Sequence, residues 1–245
     1  MNGSDRHRER GMRALLLGVL LACLAAWSLL SGRLQVPDAW NPWAPLRIDD
    51  APNWLTGFKL GRASGDEAAC KTALAGAHMD WTPLEDRVTG EGCGFESAVR
   101  IERSSVEVGE AFALSCRAAL SLAMWERHVL QPVARTQTGQ TVVGIEHYGS
   151  YACRNLYGEP GRRRSRHATA DALDVAAFVL ADGRRVPVTA YAPGVPEASL
   201  GPDARLLRDL HAGACRYFDG VLGPGYNRAH ADHFHFDRGS FGICR

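Results

Sequence analysis

Two stretches decide the reading of this chain: SRHATADALD (165–174) and HADHFHFD (230–237). Together they hold four of the nine histidines, with carboxylates at spacings a metal ion can use. A first-row metal needs three or four N, O or S donors converging at about 2.0–2.3 Å. The seven-residue step from His167 to Asp174 amounts to about 10 Å of rise on a helix and more than about 20 Å on a strand. Neither regular element joins them, so the chain must bend after His167. His233 and His235, two apart, share one face of a strand, while Phe234 and Phe236 take the other. A face of imidazoles backed by a face of aromatic rings suits a strand wet on one side and buried on the other. The two stretches read as a catalytic metal site.

Around them lies an ordinary globular composition, 46% hydrophobic and 22% charged in 245 residues, enough for one sizeable core. A net charge of +1, with no basic patch interleaved with aromatics, argues against a nucleic-acid partner. The arginine run 162–164 is short and reads as a solvated turn. No Gly-x-Ser-x-Gly elbow is present to support a serine nucleophile.

The first segment reads as separate from the fold. Residues 14–30 are uncharged and nearly all apolar, preceded by Arg6, Arg8, Arg10 and Arg13. This predicts a basic cytoplasmic tail (1–13), a transmembrane signal anchor (14–30), a Pro/Trp-rich linker (31–53) and a folded domain from Trp54 to the end (54–245). The expected location is the bacterial inner membrane, single-pass, with the domain in the periplasm. Beyond the anchor stand Cys70, Cys93, Cys116, Cys153, Cys215 and Cys244, an even set that in an exported domain implies disulfides. Pairing in sequence order (Cys70–Cys93, Cys116–Cys153, Cys215–Cys244) is the working guess. No Cys-x-x-Cys pair suggests a zinc ribbon.

Along the domain, 66–77 is an alanine-rich helix, 79–95 a loop with a short strand, and 112–129 the longest helix, ended by Gln131-Pro132. Strands follow at 141–148 and 172–180, the second turning at Asp182-Gly183 into a hairpin with 184–189. A helix over 204–221 is stopped by Gly223-Pro224-Gly225, and 230–237 forms a last strand. The sum is an α+β domain, an antiparallel sheet with helices packed on it.

The spacing of Ser165, His167, Ala172 and Asp174 resembles the S-x-H-x-x-G-x-A-x-D motif of the LAS metallopeptidases. That group includes D-Ala-D-Ala carboxypeptidases and murein endopeptidases and shares a zinc core with Hedgehog domains. His230, His233 and His235 resemble the endopeptidase form of the second motif. From residue 70 to the end the chain also resembles the extensin-like C-terminal family, through SCRAALSLAMWERHVLQPVA, GSYACRN, SRHATADALDVAAF and LGPGYNRAHADHFHFD. One departure stands out: the motif's glycine is Ala170, at a bend where glycine's backbone freedom is wanted.

The resemblance implies Zn2+ held by His167, Asp174 and His235, with a fourth position open to water, and action on peptidoglycan peptides. For the general base it offers His233, in the endopeptidase pattern, or Asp232, where the dipeptidase branch has its glutamate. A regular strand favours His233; a bulge at Asp232 would reverse the choice. Asp237, on the His233/His235 face, is placed either to orient a ligand's free nitrogen or as a plain surface carboxylate. Arg154 resembles an arginine that stabilises an oxyanion or grips a carboxylate, and His230 and Ser165 are placed as substrate contacts. The leading expectation is a zinc peptidase of D,D-carboxypeptidase or murein endopeptidase type. Its alternatives are a non-hydrolytic zinc domain that binds wall peptides, and a disulfide-rich domain whose histidines bind nothing.

Overall fold

The computed structural model describes residues 3–31, 33, 35–239 and 242–245. The chain divides into two compact units, Met1–Ala44 and Pro45–Arg245. In the first, helix α1 (Gly3–Leu30) is followed by a short 3-10 turn at Asp38–Trp40. The expected membrane anchor, and with it the single-pass inner-membrane location, is overturned: among the described residues no helix is long and apolar enough to cross a membrane. The uncharged run is 17 residues, about 25 Å of helix against a hydrocarbon core of about 30 Å. The rest of α1 carries the charges of Asp5, Arg6, Arg8, Glu9, Arg10 and Arg13. The side chains of Arg6, Arg8 and Arg10, on which the topology reading leaned, lie outside the described residues, as do residues 1, 2, 32 and 34 of the tail and linker.

The second unit starts at Pro45, ahead of Trp54, because Leu46 and Ile48 are buried in its core. Two short helices open it, α2 (Thr56–Ser64) and α3 (Glu67–Leu74). Asp66 caps α3 by accepting the Ala69 amide at 2.8 Å. The next strands are β1 (Asp80–Pro83), β2 (Arg87–Gly90), β3 (Cys93–Phe95), β4 (Ala98–Arg103) and β5 (Phe112–Ser115). They form a three-stranded sheet, β1-β4-β5, and a β2-β3 hairpin, all antiparallel. The stretch 112–129 is therefore not one helix. Its first residues extend β5, and Ser115 ends the strand by capping α4 (Cys116–Trp125), its hydroxyl accepting the Ala118 amide. Nor does Pro132 end the helix. After α4 the chain widens into a π-helical turn (Glu126–Leu130) and continues as α5 (Gln131–Thr138), with the proline in the first turn, where its missing N–H costs little.

The main sheet is built from β6 (Val142–Gly149), β7 (Ala172–Leu180), β8 (Arg185–Pro187), β9 (Gly220–Leu222), β10 (Phe234–Asp237) and β11 (Ile243–Cys244). Helix α6 (Pro202–Ala214) lies between β8 and β9 in sequence and stops short of its expected end, because the chain turns at Tyr217-Phe218 to start β9. The order is β11-β9-β10-β7-β6, with β8 beside the far half of β7; β11 pairs β9 in parallel, and the other named strand pairs are antiparallel. The α+β class with antiparallel sheets and packed helices agrees with the sequence reading.

β7 is the strand that places the site. Its register with β10 sets Asp174 opposite His235, Leu173 opposite Phe236 and Val175 opposite Phe234. Alternation then turns His235 and Asp174 to one face and the two phenylalanines to the other. Opposite β6, β7 carries an extra residue at Ala176, between the pairs Glu146↔Ala177 and His147↔Val175. This bulge reverses the alternation and returns Phe178 to the core side. There Trp125 closes the layer, its ring 5.2 Å from Phe236 and 6.2 Å from Phe178, its indole N–H donating to the Leu210 carbonyl at 3.1 Å. Burying rings of this size contributes roughly 1.5–3 kcal/mol each. They give the face that carries Asp174 and His235 a rigid backing.

Three disulfides staple the unit: Cys70–Cys116, Cys93–Cys153 and Cys215–Cys244. Sequence-order pairing is right only for the last. Helices α3 and α4 pack on each other, which brings Cys70 to Cys116 with 6.1 Å between Cα atoms. Cys93, on β3, meets Cys153 in the loop after β6.

Candidate metal centre

The bend demanded between His167 and Asp174 is a 3-10 turn, Arg166–Thr169. Ser165 is buried and caps it, its hydroxyl accepting the His167 amide at 3.3 Å. The turn ends at Ala170, fully buried with φ 53° and ψ 28°. The bend does require the left-handed region, and alanine occupies it in place of the motif's glycine. Asp171 then locks the corner: its carboxylate accepts from Ser115 Oγ (2.6 Å), Thr169 Oγ1 (2.8 Å), and Arg117 Nε (2.8 Å) and Nη2 (2.6 Å). From there β7 carries the chain to Asp174.

His167, Asp174 and His235 converge. His167 donates from Nδ1 to the Ser150 carbonyl at 3.2 Å, which leaves Nε2 with its lone pair facing inward. His235 is fixed the other way round, with Nε2 donating to Asp237 at 3.1 Å and Nδ1 facing inward. The inward atoms lie close: His167 Nε2 to His235 Nδ1 is 3.2 Å, His167 Nε2 to Asp174 Oδ2 3.1 Å, and His235 Nδ1 to Asp174 Oδ1 2.8 Å. Donors about 2.0–2.1 Å from a tetrahedral zinc are about 3.3 Å apart, so the set fits such an ion. Electrostatics agree that this point favours positive charge. Burial works against a charged His235, but hydrogen bonds to Asp174 and Asp237 outweigh it and push its pKa up to about 9. Burial likewise opposes charge on Asp174, yet its bonds to His167 and His235 hold the carboxyl well below the usual range. A second cluster, His211, Cys215 and Cys244, has both sulfurs in a disulfide and offers no thiolate.

His233 stands beside this triad but not on the expected strand. Only Phe234–Asp237 of the second stretch is extended; His230 lies on a 3-10 turn (Arg228–His230) capped by Asn227. The alternation argument for choosing between His233 and Asp232 therefore does not apply. Instead the two are linked: Asp232 Oδ1 holds His233 Nδ1 at 2.9 Å, and His233 Nε2 points to Asp174 Oδ1 at 3.6 Å. Asp232 is itself exposed, its Oδ2 3.5 Å from the Tyr148 hydroxyl. Tyr148 is the extra residue of a second bulge, in β6, and its ring stands edge-on to His233 at 5.7 Å. His230 is buried between them, 5.2 Å from the His233 ring and 5.8 Å from that of His235, with Nδ1 2.7 Å from Asn227. Burial, reinforced by the His235 and His233 imidazoles, pushes its pKa down to about 4. Arg154 is exposed, and its guanidinium makes no hydrogen bond or ion pair among the described residues; the structure ties it to the site only through its carbonyl, which accepts the Ser165 amide.

Against known families, the model for the extensin-like protein C-terminus matches residues 68–245. The chain belongs to that family. The matched span of this extensin-like domain contains the whole triad, His230, His233 and all six disulfide cysteines. No curated protein and no solved structure matches the chain. Within the domain, sequence reasoning missed Asp171, Arg117, Asn227 and Tyr148. Asp171 lies inside the quoted motif, but its partners Ser115 and Arg117 are more than fifty residues away. Tyr148 is re-aimed by a bulge, which no local pattern announces.

Proposed function

We propose that this extensin-like domain is a zinc-dependent peptidase of the LAS type that acts on peptidoglycan peptides. One observation carries the reading: two imidazoles are fixed in opposite tautomers so that both inward nitrogens meet the Asp174 carboxylate, at 2.8 and 3.1 Å. His167, Asp174 and His235 would hold the ion. When bound, zinc polarises a peptide carbonyl and acidifies a water. The chain's own part falls to His233, held through Nδ1 by Asp232 so that Nε2 faces the centre, where it takes a proton and returns it to the leaving amine. Ser150 and Asp237 keep the ligand rings in register, and the Phe234/Phe236/Trp125 layer keeps water from behind.

A second reading, a non-hydrolytic zinc domain that binds wall peptides, is favoured by the loose state of Arg154, which no side chain fixes toward the centre. One comparison separates them. His167→Ala or His235→Ala abolishes zinc content, measured by metal analysis of the full chain, under both readings. His233→Ala keeps zinc and stops muropeptide cleavage if the domain is a peptidase. If the unmodified chain binds zinc and muropeptides without turnover, the binding reading replaces it.

A further inference from the structure

β6 forms one edge of the main sheet, and the segment 107–113 runs beside it, tied to it at two ends and crossed between them by the His147 ring. At one, the Glu107 amide donates to the Val143 carbonyl (3.0 Å) and the Ile145 amide to the Glu107 carbonyl (2.8 Å). At the other, Ser150 Oγ donates to the Ala113 carbonyl. Between them the segment bows outward through Gly109, at φ 69°, a left-handed position that glycine takes without strain. The space left open is a groove of about 610 Å³. Val108, Phe112 and Ile145 give it an apolar floor, and His147 bridges it by donating from Nε2 to the Glu110 carbonyl at 2.9 Å. The buried Nδ1 of that ring has no partner.

Two features say what the groove takes. Its carboxylates are not equivalent: Glu146 is held by Arg185 at 2.7 Å, whereas the exposed carboxylates of Glu107 and Glu110 have no side-chain partner among the described residues. The groove therefore presents two uncompensated negative charges. At its other end it is lined by Tyr148 and Ser150, the first standing against the His233 ring and the second holding His167. From Gly144, bridged by Glu107, to Tyr148 is four residues of strand, about 13 Å.

We propose that this groove seats an extended peptide carrying a free amine, its ammonium between Glu107 and Glu110 and its backbone running past Tyr148 to the metal centre. The proposal rests on the peptidase reading and adds the substrate's charge. The amine lies about three to four residues from the bond that reaches the centre. Exposed ion pairs are each worth up to about fivefold in affinity and their factors multiply, so two mid-range pairs of about threefold together give about tenfold.

The test reads binding without turnover. A lysine-containing muropeptide with a free ε-amine, and the same compound N-acetylated there, are titrated into zinc-loaded His233→Ala full chain by calorimetry. Chelator-treated parent chain gives the same comparison should that variant fail to fold. Acetylation is expected to weaken binding about tenfold, and to have no effect once Glu107→Gln and Glu110→Gln are added. Equal binding of the two compounds, or a loss on acetylation that persists in the glutamine variant, overturns the proposal. Failure of the parent chain to cleave either compound would instead remove the peptidase reading and leave the binding result to stand alone.

Discussion

Replacing Asp237 by Asn probes the proposed metal centre through a residue outside its three proposed ligands. Asp237 Oδ2 accepts from His235 Nε2 at 3.1 Å, and that bond holds the tautomer whose Nδ1 faces His167 and Asp174. Asparagine keeps the volume and the strand pairing with Gly220 but removes the charge that makes His235 a strong donor. Losing a carboxylate behind a ligating histidine costs about 10–100-fold in metal affinity, about 1.4–2.7 kcal/mol. The isosteric change belongs at the lower end. Gly220→Ala reaches the same bond from the other side, because a methyl group there collides with the Asp237 carboxylate and pushes it off His235. Zinc affinity is measured for the full chain by competition with a chromophoric chelator, with His235→Ala as the reference for complete loss. An Asp237→Asn protein that binds zinc as tightly as the parent would refute the assignment of His235 Nδ1 as the ligating atom.

Other consequences follow from the same geometry. Ala170→Gly removes a left-handed alanine worth about 1–2 kcal/mol of strain but gives up a buried methyl of about 0.8 kcal/mol and frees the unfolded chain by about 0.4–1 kcal/mol. The net is expected within about 1 kcal/mol of zero by urea denaturation, whereas Ala168→Gly, equally buried with no strain to relieve, loses about 1–2 kcal/mol. Equal losses at the two sites would contradict the bend's reading. Phe236→Ala, which opens the layer under His235, costs about 3–5 kcal/mol; a melting curve unchanged by it would remove the rigid backing from the account. Burial on the π-helical turn raises the Glu126 carboxyl, against hydrogen bonds from Ser104 and Ser105. A carboxyl raised in the folded state holds its proton longer there than in the unfolded chain. Its contribution to stability is therefore full below the unfolded value and lost as pH rises above it. Glu126→Gln is thus expected to be more stable than the parent at about pH 8 and no more stable at about pH 4; parallel stability profiles would show that the carboxyl is not raised.

How much of this was legible in the residues follows from where each constraint acts. The alternation in FHFD, the alanine-rich helix after Asp66 and the Asp182-Gly183 hairpin are local, and the chain folds there as its pattern says. The bend after His167 was legible as a necessity of spacing, and Ala170 shows its form. What failed to show were features set by tertiary partners or by irregular backbone. The extended start of 112–129, whose apolar spacing also suits a helix, is decided by pairing with β4. The π turn carries the helix past Pro132. The Asp232–His233 pair depends on the second stretch not being a strand at that point. Disulfide partners depend on helix packing, which sequence order does not encode. The apolar run 14–30 was long in character but short in length, and that decided against a membrane span.

The central claim is that three donors and His233 form a hydrolytic zinc centre. Mass spectrometry of purified muropeptides incubated with the zinc-loaded full chain, with and without chelator, tests it most directly. The account predicts new peptide fragments that vanish with chelator and in His233→Ala. Intact muropeptides in the presence of a chain shown to contain zinc would contradict it.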